Sequence, residues 1–209
     1  MTHETQSISI IRKRYDRLAP YYDFLEAAME WLRFSAWRVR LRENIRGPRA
    51  LEIGVGTGKN IEYYPSGVKI TAIDFSPQML KRARKRAANT GLDVELMDMD
   101  VQNLRFSDRS FDTIFATFVF CSVPDPIKGL RELHRVCKAD GRLLLLEHMR
   151  PENWWLGCLF DLLNPLIVRM LGANINRRTI DNIRHAGWRI ERIENLSSNI
   201  VRWIQAKPE

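Results

Sequence analysis

The chain has 209 residues, 33 of them basic and 25 acidic, and its formal net charge of +8 is carried by 25 arginines and 8 lysines. That length supports a hydrophobic core without disulfides or a structural metal, and three scattered cysteines, Cys121, Cys137 and Cys158, lack any metal-type spacing, so reduced thiols, a cytoplasmic setting and no metal site are expected. The arginine excess calls for an anionic partner, nucleic acid or lipid headgroup, without choosing between them.

The N-terminus, "MTHETQSIS", is polar and has no secretory pattern. Residues 1–47 read as one or two helices standing outside the rhythm of the rest. They combine Tyr21, Tyr22, Phe24, Trp31, Phe34 and Trp37 with an arginine series that runs from Arg33 to Arg49, and they are expected to form a lid. From Arg49 onward, short apolar runs alternate with helical segments: "RALEIGVG", "VKITAID", "VELMDMD", "FDTIFATFVF" and "GRLLLLEHM" are the successive buried strands. Ser76 and Pro77 open a helix that runs to Gly91; Asp125 and Pro126 open another that ends near Asp140 and Gly141. The apolar stretch from Asn153 to Gly172 is interrupted by Asp161, Asn164, Pro165 and Arg169, which argues against a membrane span and for a surface or pocket element. A short helix between Thr179 and Gly187 precedes "WRIERIENL" and "NIVRWIQAK", two strands joined across Ser197 and Ser198 as an edge hairpin. The expected fold is α/β: a doubly wound, mostly parallel, Rossmann-like sheet of seven strands with an antiparallel edge hairpin and an N-terminal helical lid. One domain is expected over 1–209, with a preface (1–47), a cofactor-binding core (48–150) and a substrate-side insert with the hairpin (151–209).

"LEIGVGTGKN" carries the chemistry. A P-loop needs a first glycine where Ile53 stands and a hydroxyl where Asn60 stands; a dinucleotide fingerprint needs a third glycine where Lys59 or Ile61 stands. What remains is an acid, Glu52, followed by Gly54, Gly56 and Gly58, whose missing Cβ atoms admit positive φ and close approach of a ligand. A second acid, Asp74, ends the next strand, where a carboxylate can accept from both hydroxyls of a ribose. This pattern resembles the class I S-adenosylmethionine-dependent methyltransferases over Arg49 to Met149. The resemblance implies that cofactor and a binding set of Tyr15, Glu52, Gly54, Gly56, Gly58, Asp74, Phe75, Met79, Asp100, Val101 and Thr117. Asp100 takes the adenine amine and the neighbouring backbone at Val101 reads the ring edge, although Asp98, two residues earlier on the same strand face, competes for that role. Glu52 and Asp74 could instead be solvated carboxylates at strand ends.

Methyl transfer requires an acceptor aligned behind the methyl and water kept out. Tyr15, Tyr21 and Tyr22 of "YDRLAPYYD" could flank a sulfonium or simply pack the preface. Phe118, past Thr117, could wall the site or be a buried strand residue. His148 ends the fifth strand on the ligand side, as a base, a headgroup contact or an ordinary structural histidine. "YDRLAPYYD", "LEIGVGTGKN", "IDFSPQML", "SVPDP" and "EHM" are similar to soluble bacterial phosphatidylethanolamine N-methyltransferases and to their quinone and thiol methyltransferase relatives. The further segments usual in quinone enzymes after the fifth strand are missing. That resemblance implies an amphipathic acceptor at an anionic membrane surface, phosphatidylethanolamine first, with quinone C-methylation or thiol S-methylation as alternatives and a cofactor-binding regulator as the non-enzymatic one. Tyr22 and His148 are then the catalytic candidates; Tyr22, Phe118, His148, Arg177 and Arg178 are the substrate candidates, with the two arginines meeting phosphate or merely forming a solvated turn. The enzyme would be cytoplasmic and peripheral at the inner membrane surface. Nucleic acid is not expected as partner, because the basic residues are dispersed over helix faces and no Asn/Asp-Pro-Pro-aromatic segment follows the fourth strand.

Overall fold

A computed structural model describes the backbone of residues 3–29, 34–197 and 199–209, and side chains over 9–22, 34–170, 172–197 and 199–209. Phe24, Trp31 and Arg33, named above, lie outside the described side chains, and Ser198 lies outside the described residues.

Helices α1 (His3–Met29) and α2 (Ser35–Asn44) precede β1 (Arg49–Ile53), a 3-10 turn (Ile61–Tyr63), β2 (Lys69–Asp74), α3 (Pro77–Thr90), β3 (Val94–Asp98), β4 (Phe111–Thr117), α4 (Pro126–Val136) and β5 (Cys137–His148). Helices α5 (Trp154–Leu171) and α6 (Thr179–His185) then lead to β6 (Trp188–Ser197) and β7 (Val201–Pro208). All seven strands form one sheet in the order β3-β2-β1-β4-β5-β7-β6. The first five are parallel, and β7 enters antiparallel between β5 and the edge strand β6. The fold is the expected one.

Side chains alternate across the sheet, so one strand feeds two cores. Ile114, Ala116, Leu143 and Leu145 face the core that holds Leu130 and Leu133 of α4 and Ile183 of α6. Phe115 and Leu144 point the other way, to Leu41 of α2 and Leu80 and Ala83 of α3. Trp188 is buried in the first core and its indole N–H donates to the Leu130 carbonyl at 2.9 Å, so its one polar atom is satisfied. The cap of α3 is as expected: the Ser76 hydroxyl accepts from the Met79 N–H, Pro77 occupies the first turn, and Gly91 closes the helix in the left-handed conformation.

Several boundaries differ from the sequence reading. Helix α4 stops at Val136, before the expected Asp140 and Gly141, because Cys137 is buried and already paired with Phe111 of β4; that pairing outweighs the helical preference of the next residues. Strand β1 ends at Ile53 and β4 at Thr117, so the glycines and Phe118 lie beyond the strands. Phe118 is therefore not a strand residue: its φ of 57° turns the chain sharply at the sheet edge. The stretch after Asn153 is a helix, capped by the Asn153 side chain and closed by left-handed Gly172. Among the described residues no helix is long and apolar enough to cross a membrane.

Candidate active site

The chain leaves β1 towards β2 on one side and later returns as β4 on the other. The strand order therefore reverses between β1 and β4, and the carboxyl ends of such a pair splay into a crevice. Gly54, directly after β1, has φ 63°, and a Cβ there would lie 2.5 Å from Val119, just past β4; only glycine lets the two strand exits come this close. Above them lies a cavity of about 720 Å³ open to solvent, lined by Tyr15, Tyr22, Gly54, Gly56, Asp74, Phe75, Met79, Asp100, Val101, Thr117 and Phe118 among others. Eleven residues singled out in the sequence thus meet in one place. Ile11, Gln102, Val119, Ser122, Val123 and Pro124 also line it and were not foreseen. A second recess, lined by Tyr22, Arg38, Gly54, Gly56, Lys59 and Asn60 among others, shares the loop.

Glu52 and Gly58 do not line either recess. Gly58, with φ 86°, presses against α3: a Cβ there would lie 3.0 Å from the Ala83 Cα, so its bareness serves helix packing. Glu52 is buried beneath the loop, where it accepts from Asn60 Nδ2 at 2.5 Å and from the Tyr64 hydroxyl. Asn60 also donates to Thr117 Oγ1 at 3.1 Å and accepts from the Arg38 guanidinium. Burial lifts the Glu52 carboxyl to about 7, although Tyr64, Asn60 and Arg38 all pull it down. Glu52 is neither the solvated carboxylate nor the cavity contact weighed in the sequence; it anchors the loop from below. Asn60 lay in the motif, but nothing in the sequence pointed to Tyr64 or Arg38, which reach it from a later turn and from α2.

Asp74 joins loop and crevice. One carboxylate oxygen accepts from the Gly56 N–H at 2.9 Å, the other from the Ser76 N–H at 2.8 Å, and burial raises its carboxyl to about 6 against those two bonds. Each oxygen keeps a lone pair for a ligand hydroxyl. Asp100 lies two residues past β3 and accepts from the N–H and side-chain amide of Gln102 at 2.9 to 3.2 Å, which holds it on the cavity wall. Asp98 is instead paired with Arg12 of α1 at 2.5 Å, so the ambiguity between the two acids resolves to Asp100 as the cavity residue. Helix α1 crosses the mouth. Asp16 accepts from the Ser76 hydroxyl at 2.5 Å, Tyr15 packs edge-on against Phe75 with centroids 5.7 Å apart, and Ile11, Tyr15 and Tyr22 face the cavity. Tyr21 is exposed and contributes nothing to the site.

On the opposite wall, Phe118 is stacked between Phe34, with centroids 4.9 Å apart, and His148, at 6.1 Å. His148 thus stands behind Phe118 and does not line the cavity. Its ring hydrogen-bonds the Asn174 backbone, its Nε2 has no partner among the described residues, and burial pushes its pKa below the ordinary value. At neutral pH it is an uncharged imidazole. Glu147, not foreseen, is buried and receives the N–H groups of Val119 and Phe120 at 2.8 and 3.1 Å, fixing the turn that presents Phe118. Arg177 donates to the carbonyl of Val123 at 2.6 Å, behind the cavity wall, whereas Arg178 is exposed at the start of α6 and outside the cavity.

The residues present fit S-adenosylmethionine. A Cβ on Gly56 would meet nothing nearer than the Gly54 carbonyl at 4.0 Å, so the bare turn opens onto free space, and two carboxylates with spare lone pairs face it at Asp74 and Asp100. Comparison with known proteins agrees. Residues 51–145 match the family described as a methyltransferase domain. The chain is 38% identical over 149 residues, 70% of its length and 71% of the relative's, to a phosphatidylethanolamine N-methyltransferase of Cereibacter sphaeroides. It is 34% identical over 160 residues to a demethylmenaquinone methyltransferase of Chlorobaculum tepidum, covering 72% of this chain and 64%, a little under two thirds, of that one. Among solved structures, a SAM-dependent methyltransferase of Thermotoga maritima, described as a possible histamine N-methyltransferase, shares the fold with a TM-score of 0.71 at 22% identity, over 94% of this chain and 99% of that one.

Proposed function

This chain belongs to the class I S-adenosylmethionine-dependent methyltransferases, and from that premise we propose that its acceptor is an amphipathic, membrane-associated molecule, foremost the amine of phosphatidylethanolamine. The observation that carries this reading is the far end of the cavity. Aromatic walls, Tyr22 and Phe118, stand there with a neutral imidazole behind them, and the Arg177 guanidinium backs the wall at Val123. An amine suits the aromatic walls; Arg177, tied to the Val123 carbonyl behind the wall, does not reach a phosphate in the cavity.

S-adenosylmethionine, when bound, supplies an electrophilic methyl group on a sulfonium centre. Gly54, Gly56, Asp74, Phe75, Met79, Asp100 and Val101 would hold it, with Tyr15 and Thr117 nearer the reacting end. Tyr22 and Phe118 orient the acceptor and exclude water. The amine must be uncharged to react, and His148, held neutral by burial, takes its proton at Nε2 once Phe118 gives way. Glu147 fixes the backbone of the turn, so any such movement is confined to the Phe118 side chain.

Quinone C-methylation is a second reading, favoured by the Chlorobaculum relative and served by the same neutral base acting on a phenol. The test is incubation with methyl-labelled cofactor and, separately, phosphatidylethanolamine in detergent, a demethylated quinol and a small thiol. Label in phosphatidylethanolamine supports the lead reading. Label only in quinol or thiol replaces it, and tight cofactor binding with no turnover on any acceptor makes the protein a regulator.

A further inference from the structure

Helix α5 leaves a wide apolar face uncovered. Its protein-facing side carries half-buried Leu156, Phe160, Ile167 and Val168 together with Asn164, whose side chain accepts from the Ile175 N–H at 2.9 Å and donates to Asn174 at 3.2 Å; exposed Asp161 receives Arg150 at 2.9 Å and Asn176 at 3.0 Å. Five further large apolar residues face water. Trp155, Leu159, Leu162, Leu166 and Met170 are 75%, 47%, 76%, 55% and 64% exposed. At 100° per residue these five fall within an arc of roughly 80° and make a stripe about 22 Å long. A helix serving only its own fold buries such a stripe, and a contiguous exposed one marks an interface.

The surrounding charges say what covers it. Arg169 flanks the stripe and Arg178 stands exposed beyond its end. Helix α1 is tied to α5 by Arg14, which donates to the Val168 carbonyl at 2.6 Å; it exposes Lys13, Arg17 and the apolar Ile10. The nearby acids are matched, Asp161 by Arg150 and Glu152 by Arg202 at 2.9 Å. An apolar stripe beside exposed basic residues complements an anionic bilayer. It does not complement a second copy, because a two-fold contact would set these basic residues against their like. Trp155 at one end suits the headgroup level.

We propose that α5 lies in the plane of an anionic lipid surface and seats the cavity on it. The segment after α5 reaches the cavity wall directly: the Asn174 N–H and side chain both donate to the Cys121 carbonyl, next to Ser122 and Val123 of the lining. A lipid entering beside α5 therefore meets the acceptor end first. The inference deepens the reading of an amphipathic acceptor and rests on it only for its purpose, not for its test.

The full chain and its Leu162→Gln/Leu166→Gln variant are sedimented with vesicles of phosphatidylcholine and phosphatidylglycerol (3:1) and of phosphatidylcholine alone, none containing phosphatidylethanolamine. The wild type is expected to partition onto the anionic vesicles at least about tenfold better than the variant, and less well as salt rises. Circular dichroism should show the same melting for both, since the substitutions are at exposed positions. No sedimentation of the wild type, or equal sedimentation of the variant, overturns the proposal. So does light scattering that finds a dimer which the variant converts to monomer without any vesicle binding. Methyl transfer to detergent-dispersed phosphatidylethanolamine is measured separately: activity without vesicle binding sinks the docking face alone, and binding without activity sinks the acceptor alone.

Discussion

The glycine loop and α5 sort their side chains in opposite ways. Beneath the loop, charged groups are drawn inside and every one is held: Glu52 by Asn60 and Tyr64, Asp74 by the N–H groups of Gly56 and Ser76. On α5 Asn164 also turns inward, but five large apolar residues are left outside. The first arrangement fixes a backbone around a small ligand, where buried polar bonds trade desolvation for geometry. The second offers surface to something large and apolar. The side nearer β1 is built for precision and the side after β5 for contact.

Substitutions can break or sharpen that contrast. The largest effect is expected from Gly56→Val, whose Cβ would enter free space in the cavity: cofactor affinity by calorimetry should fall a hundredfold or more, about 3 kcal/mol, and the φ of 56° strains the new side chain, so a thermal melt should show some loss of stability as well. Unchanged affinity would place the ligand elsewhere. Next is Glu147→Gln. Burial raises the Glu147 carboxyl to about 7 from 4.5. A carboxyl raised in this way favours the fold fully below its unfolded value, and the advantage fades as pH rises through 7. The wild type should therefore lose up to about 3 kcal/mol between pH 4.5 and 8 that the variant keeps. Urea unfolding at both pH values reads this as a gap that opens in the variant's favour at high pH; a constant gap would show that Glu147 does not titrate there.

Asp74→Ala leaves two backbone N–H groups, those of Gly56 and Ser76, without their acceptor, and should cost about 2 kcal/mol of stability as well as cofactor affinity. Loss of affinity with no loss of stability would mean the loop keeps its shape without this tie. The smallest effects belong to α5 as a pair. Asn164→Leu, an apolar replacement on the protein-facing side, should destabilise by about 1 kcal/mol because the Ile175 N–H loses its partner, while Leu162→Lys should change stability by less than about 0.5 kcal/mol. Thermal melts of the two variants check this ordering; a larger loss from Leu162→Lys than from Asn164→Leu would show that the stripe is covered within the chain.

How much of this was legible depended on the range of the interactions. The strands from Ala50, Ile70, Val94, Phe111 and Leu143 announced themselves by apolar runs, and the caps Ser76 and Asp125 by type and position. Gly54, Gly56, Asp74 and Asp100 were readable because a strand exit needs bare backbone and a ligand needs acids, both within a short stretch of chain. Glu52 was recognised by residue type yet misplaced, since the partners that draw it beneath the loop, Tyr64 and Arg38, sit on other elements. His148 was placed at the right strand end, but Phe118, turned by its left-handed backbone, stands in front of it.

Periodicity, caps and the spacing of glycines and acids determined the doubly wound sheet and the identity of most cavity residues, because each of these is a local constraint of backbone geometry or burial. Tertiary structure decided which acids touch the cavity and which support it, and which way α5 faces. The sequence of that helix is apolar on most of its sides; only the packing of Leu156, Phe160, Asn164, Ile167 and Val168 towards the protein decides that Trp155, Leu159, Leu162, Leu166 and Met170 face outward.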